Sequence, residues 1–162
     1  MRNILFLLFV VCGVSCSNEP EDATIQYHFI VKNPGVYQSV DFSFLYTRAH
    51  TGENVIRTVY LPSKDMSFRL DEQFAYFIGS SIIEPEEIVG YDLLLGNFTI
   101  MESNQLRSLK TPVTFREYAK ADIIPEPGKV LNLYFELDLA SSVVLDSAGT
   151  DWILPRISIS HQ

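Results

Sequence analysis

A chain of 162 residues with 20 Asp+Glu against 12 Lys+Arg, a net charge of −8 at pH 7, is poorly suited to nucleic acid or to an anionic lipid surface. Both are gripped by Lys and Arg that neutralise phosphates, and an acidic chain repels them. With two cysteines in the whole sequence there is no disulfide framework, so an exported form must stand on its hydrophobic core.

The first fifteen residues read as a secretory signal. Arg2 supplies a positive charge, Ile4 to Val11 is an unbroken apolar run, and Gly13-Val14-Ser15 puts small residues before a cleavage point. The run is too short to span a bilayer as a helix, which takes roughly 20 apolar residues. The competing reading is a buried first element of the domain, but the run abuts a polar, acidic stretch rather than a turn and a second strand. Two cysteines compete for lipid. Cys16 has Ser15 and Val14 before it, as in a bacterial lipobox, although Gly13 stands where a larger aliphatic is usual. Cys12 has only bulky Phe9, Val10 and Val11 before it. Cys16 is therefore the expected lipidation site, and its lipid the expected link to a membrane.

Residues 16–23 are expected to form the lipidated cysteine and a disordered acidic leash, since Ser17-Asn18-Glu19-Pro20-Glu21-Asp22 cannot bury apolar area. A serine and acidic residues just behind such a cysteine resemble an export signal of some Gram-negative bacteria. That resemblance implies an outer-membrane lipoprotein exposed at the cell surface, with a periplasm-facing lipoprotein as the alternative. Loss of the signal removes one basic residue, Arg2, and no acidic one, so the exported chain becomes more acidic.

From residue 24 to 162, a length of about 140 residues suits one domain. Alternation of apolar and polar residues dominates this span. Ile25, Tyr27, Phe29 and Val31 alternate with Gln26, His28, Ile30 and Lys32, and Pro34-Gly35 makes a turn. Val40, Phe42, Phe44 and Tyr46 repeat the pattern, and Thr51-Gly52 breaks it. Val55 to Tyr60 and Met66 to Leu70 read as short strands. Phe74 to Ile83 is apolar enough for a strand buried on both faces. Tyr91 to Leu95 and Phe98 to Met101 flank Gly96-Asn97, a candidate tight hairpin. Val113 to Tyr118, Val130 to Leu137 and Trp152 to Ile159 complete eight or nine strands, with short helical turns expected at Glu84 to Ile88 and Ala140 to Val144. The pattern predicts an all-β domain, a single antiparallel β-sandwich of Greek-key type.

The second half carries a resemblance. Pro127 to Asp138 leads into Ser142-Val143-Val144, then Gly149 and Trp152-Ile153-Leu154-Pro155-Arg156-Ile157. These elements, with Leu109-Lys110-Thr111-Pro112 and Ile83 to Leu95 upstream, resemble a domain-of-unknown-function family of bacterial and archaeal lipoproteins. The likeness covers about half of the exported chain. It implies a transthyretin- or carboxypeptidase-regulatory-like sandwich and a lipoprotein location; the family has no established activity. The N-terminal half departs from the family, with Lys32-Asn33-Pro34-Gly35 where Thr-Asp-Ala-Pro is usual.

No catalytic constellation is legible. Ser80-Ser81 follow Gly79 but no second glycine closes a nucleophile elbow, and they read as strand residues. His28, His50 and His161 form no ligand pair, which leaves no zinc motif and only an axial haem ligand at His28 or His50 as a remote reading. Glu84, Glu86 and Glu87, Asp71-Glu72, and Asp146 with Asp151 read as solvated turns, with calcium as the functional alternative. Neither a metal nor a cofactor is expected. What stands out is the aromatic count, eight Tyr, eleven Phe and one Trp. Tyr37, Tyr60, Tyr91 and Trp152, with Tyr76 and Tyr118 behind them, are candidates for stacking on a ligand such as a sugar, because an amphipathic ring offers an apolar face and a polar tip. Packing at the rims of a sandwich accounts for the same rings. The expectation is a non-enzymatic, envelope-anchored module that binds a glycan or an envelope protein. A structural subunit of a fimbria-like fibre is second, and an enzyme with an unrecognised site is third.

Overall fold

The computed structural model describes residues 21–52, 55–111, 117–145 and 151–162. Cys12, Cys16, most of the leash, Asp146 and Gly149 lie outside them. Twelve strands and one helical turn follow in chain order: β1 (Ala23–Lys32), β2 (Tyr37–Thr51), β3 (Ile56–Val59), β4 (Lys64–Arg69), β5 (Tyr76–Ile83), β6 (Ile88–Glu102), β7 (Gln105–Ser108), β8 (Glu117–Ile123), β9 (Val130–Asp138), α1 (Leu139–Ser142), β10 (Val143–Leu145), β11 (Asp151–Ile153) and β12 (Ile157–His161).

The strands form the expected all-β sandwich. One sheet of the sandwich has the order β12-β9-β1-β5; the facing one is built on β3-β2-β6-β7, with β4 also on β2 and β8 also on β6, and β10 with β11 forms a separate two-stranded ladder. The sheets do not close into a barrel. Pairing is antiparallel except between β1 and β9, which run parallel from Thr24↔Val130 to Lys32↔Asp138. A parallel neighbour needs a long crossover, and the whole second sheet supplies it.

Alternation reads straight into packing. Ile25, Tyr27, Phe29 and Val31 of β1 point inward and meet Phe42, Phe68, Tyr91 and Phe98 of the facing sheet within one apolar cluster. Phe29 lies 5.0 Å from Phe42, which lies 5.0 Å from Phe98 and 5.6 Å from Phe68 between ring centroids. Tyr91 meets Tyr27 edge-on at 6.0 Å. Aromatic pairs at such distances add to the burial of their area.

Several local expectations give way. β6 runs unbroken through Gly96-Asn97. Asn97 takes a left-handed φ of 55°, making a bulge rather than a turn, and its Nδ2 donates to Ser43 Oγ at 3.1 Å. The hairpin comes later, at Ser103 and Asn104 (φ 49° and 61°), where β6 turns into β7. β5 is an edge strand rather than a strand buried on both faces: Phe77 is 48 % and Ile82 74 % exposed on its outer side. Trp152 to Ile159 is broken at Leu154-Pro155-Arg156 into β11 and β12, since proline cannot donate to a ladder. The helical turn near Ala140 forms as α1; Glu84 to Ile88 forms none. Of the expected strand at Val113 to Tyr118, residues 113–116 lie outside the described residues and Glu117 opens β8.

The topology gives the sandwich two distinct ends. Asp22, Gly128 and Gln162 lie at the end where β1 begins, and Gly128 N–H donates to Asp22 O. β1 then carries the chain through ten residues, roughly 33 Å at about 3.3 Å per residue, to the opposite end.

Candidate functional site

Three turns and α1 meet at that opposite end. Asn33 to Val36 joins β1 to β2, and Asn33 and Gly35 both have positive φ (47° and 63°). Asn33 Nδ2 donates to Asp138 Oδ2 at 2.7 Å, and Asn33 O accepts from Ala140 N–H at 2.9 Å, so the loop rests on α1. Asp138 in turn caps α1 by accepting from Ser141 N–H at 3.0 Å. Its carboxyl is held below its ordinary value by Asn33 first and then by the Ser141 amide.

Between these turns lies an open cleft of ≈ 650 Å³. Pro34, Tyr37, Leu70 and Met101 give it apolar walls, and Gln38, Ser39, Arg69, Asp71 and Asn104 give it polar ones. The polar wall is braced: Gln38 Oε1 accepts from Asn104 N–H at 3.1 Å, Gln38 O from Leu70 N–H at 2.9 Å, and Arg69 pairs with Asp71 at 2.9 Å. Such a volume with a few convergent polar groups falls within the range of small-molecule sites.

Tyr37 is half-buried, packed on the core below and lining the cleft above. Its phenol is raised above the ordinary value, first by burial and then by the negative charge of Glu102, partly offset by Arg107, and of Asp151. Arg107 bridges those two carboxylates, one terminal nitrogen on Glu102 and the other on Asp151. The bridge ties the β6–β7 hairpin to β11 and brings Trp152, next to Asp151, to the same end. Trp152 pairs across β10 and through a backbone bridge with Lys110, whose Nζ stands 6.0 Å from the indole centroid.

The remaining stacking candidates scatter. Tyr60 is 89 % exposed on the flank, beside a separate groove of ≈ 460 Å³ between β3 and β5. Tyr91 is a correction: it is 0 % exposed, in edge-on contact with Tyr27 and Phe135, and cannot reach a ligand. Its inward position on β6, opposite β1, explains this. Tyr118 lies over Gly90 with its hydroxyl donating to Val89 O at 3.1 Å, and Tyr76 sits under Lys64 Nζ at 5.2 Å.

The histidines do not converge. His28 stacks on Tyr134 and meets Phe77 at a tilt on the outer face of the four-stranded sheet, while His50 pairs with Asp92 at 2.9 Å on β2 and β6 of the other. Ser81 Oγ is engaged by the Tyr27 hydroxyl at 3.0 Å. Glu84 and Glu86 both grip Arg57. Among the described residues no cluster of three or more His, Cys, Asp or Glu could hold a metal, and no helix is long and apolar enough to cross a membrane.

Of the expected stacking residues the cleft takes in Tyr37, while Trp152 stands at the same end without lining it, and what frames the cleft was not expected. Gln38 and Asn104 join the cleft through a hairpin whose Ser-Asn turn lacks the usual Asn-Gly signal. Arg107 finds its partners five and 44 residues away, a pairing that no local pattern announces.

No protein-family model matches the chain, and no curated protein matches it. A solved structure described as "NMR structure of the protein from Eubacterium rectale" aligns over 86 % of this chain and 87 % of its own, at 9 % identity and a TM-score of 0.27. A likeness that shallow supports no argument about fold or function.

Proposed function

We propose that this chain is a cell-envelope lipoprotein, held on the outer membrane by lipid on Cys16, whose sandwich offers the Tyr37 cleft to a glycan. The resemblance of its second half to a lipoprotein domain family supports the location. One observation carries the reading of the site: β1 runs from the leash end of the sandwich to the cleft end. A domain tethered through its N-terminal leash would hold the cleft away from the membrane, toward whatever lies outside. The cleft joins a half-buried ring to amide, hydroxyl and charged groups, and saccharides with one apolar face and a rim of hydroxyls suit that mixture. The module binds and does no chemistry.

Glycan-array screening of the full chain tests this. Binding should appear and should fall on the order of tenfold or more in Tyr37→Ala, measured at a temperature where thermal unfolding shows that the variant remains folded. Hydrolysis of a bound probe, or binding that ignores Tyr37, would sink the reading.

A fibre subunit is the second reading, and β12 favours it. β12, five residues at the edge of its sheet and paired there with β9 alone, leaves an edge that a neighbouring copy could extend or replace. Size-exclusion chromatography and cross-linking on cells decide it: a strict monomer without an envelope partner counts against exchange.

A further inference from the structure

We propose that the Tyr37 cleft selects uncharged saccharides and rejects acidic ones, the uronates and sulfated sugars. The proposal rests on the glycan-binding reading above and adds the class of ligand.

Recognition of a carboxylate or sulfate needs a cation free to take it, usually an arginine fork. Among the described residues, the cations around this cleft already face a carboxylate or a ring. Arg69 holds Asp71 at 2.9 Å, and Arg107 spends both terminal nitrogens on Glu102 and Asp151. Lys32 holds Glu136 at 2.7 Å, and Lys110 stands over Trp152. At the cleft and behind Tyr37, two guanidiniums face three carboxylates, in a chain whose net charge is −8. An anion at Arg69, whose bond to Asp71 uses one terminal nitrogen, would sit beside that carboxylate, and one at Arg107 would have to displace a carboxylate and then lie next to it. Like charges brought together in this way cost affinity and serve as the repulsive element of specificity.

Uncharged hydroxyls meet no such conflict. The Arg69–Asp71 pair sets a donor and an acceptor side by side at the cleft, which neighbouring ring hydroxyls can engage together. Gln38 and Ser39 offer both roles as well. The Tyr37 phenol, kept protonated by burial and by the carboxylates behind it, remains a donor at any physiological pH.

The test uses the full chain in detergent against pairs of oligosaccharides matched in linkage: oligogalactosides against oligogalacturonides, and desulfated against sulfated galactan fragments. Neutral members should bind on the order of tenfold more tightly than their acidic counterparts at low salt, and the gap should narrow as salt screens the carboxylates. Asp71→Asn, at an exposed position, removes the charge beside Arg69 and should shift the ratio of acidic to neutral binding several-fold toward the acidic members, whatever it costs the neutral ones through the lost charged acceptor. Acidic members bound as tightly as neutral ones, with both lost in Tyr37→Ala, would overturn the charge selection and leave the cleft standing. No binding of any probe, or binding indifferent to Tyr37→Ala, would overturn the cleft reading and this proposal with it.

Discussion

Tyr91 and Tyr37 are the same side chain in two regions that treat it oppositely. Tyr91 sits in the midsection, where Tyr27, Tyr91 and Phe135 pack ring on ring and nothing reaches solvent. Tyr37 sits where β2 starts, its ring half in the core and half in the cleft. Both phenols are raised by burial above all, Tyr91 far more. In the midsection the hydroxyl is left over from packing, whereas at the cleft it stands beside the Glu102–Arg107–Asp151 bridge. The aromatic excess of this chain therefore divides by position along a strand. Inward rings in the middle make the core, and rings at the strand ends are available for a site.

That division can be broken from either side. The largest effect should come from the midsection. Phe42, 2 % exposed and in ring contact with Phe29, Phe68 and Phe98, holds the two sheets together. Phe42→Ala should cost about 3–5 kcal/mol, a large share of the total stability of an ordinary domain, read as a lowered midpoint in urea or thermal unfolding. A cost below about 1 kcal/mol would mean that the sheets are not packed through this ring. Gly35→Ala attacks the cleft end instead. The residue has φ 63°, and an added Cβ would come to 3.3 Å from Ala140 Cβ, tight against α1. A left-handed non-glycine residue costs about 1–2 kcal/mol, so stability should drop by that much. Because the loop is also a cleft wall, ligand affinity should fall with it, whereas Phe42→Ala at a temperature where it remains folded should leave affinity alone.

The midsection was far more legible than the cleft. Period-two alternation in Ile25 to Val31 and Val40 to Phe44 reports which side chains face inward, and a sandwich core needs little else. The same signal has no power over which strand stands at an edge. Phe74 to Ile83 looked buried because it is apolar, yet β5 is an edge strand with Phe77 and Ile82 outward. Gly96-Asn97 looked like a hairpin because both residues tolerate positive φ, yet a bulge uses that tolerance equally well, and the Asn97 bond to Ser43 favours the bulge. The cleft was less legible. Aromatic content pointed to Tyr37, which lines it, but equally to Trp152, which does not, and to the buried Tyr91, because an exposed ring and a core ring can follow the same alternation. The braces that separate them, Gln38 with Asn104 and Arg107 with Asp151, join residues distant in sequence.

A smaller effect tests how the cleft end is held. Asp138 caps α1 and holds Asn33, and its carboxyl lies below its ordinary value. A carboxylate with a lowered folded pKa contributes stability that is present above its unfolded value, near 3.8, and is lost as pH falls through the folded value. Asp138→Ala should therefore cost about 1 kcal/mol at neutral pH, the usual worth of an N-cap. The charge-dependent part of that cost should shrink as pH drops below 4. An equal cost across the whole pH range would show that the carboxylate charge contributes nothing.

The smallest effect returns to Tyr91, and its sign is the informative part. Its hydroxyl has no well-formed hydrogen bond among the described residues, although it is sealed in the core. The hydroxyl of Tyr27, its neighbour, is bonded to Ser81 Oγ, and either oxygen can donate. An unpaired buried hydroxyl costs free energy, and removing it without changing the ring can be neutral or stabilising. Tyr91→Phe should thus leave unfolding unchanged or raise stability by up to about 1 kcal/mol, whereas Tyr27→Phe should lower it by a similar amount because Ser81 loses its partner. If Tyr91→Phe is the destabilising one, its hydroxyl is bonded after all and the midsection carries a polar pair through its centre. The contrast with Tyr37 would then no longer be one of polarity, only of access. Ligand binding should be indifferent to both phenylalanines, since neither ring faces the cleft.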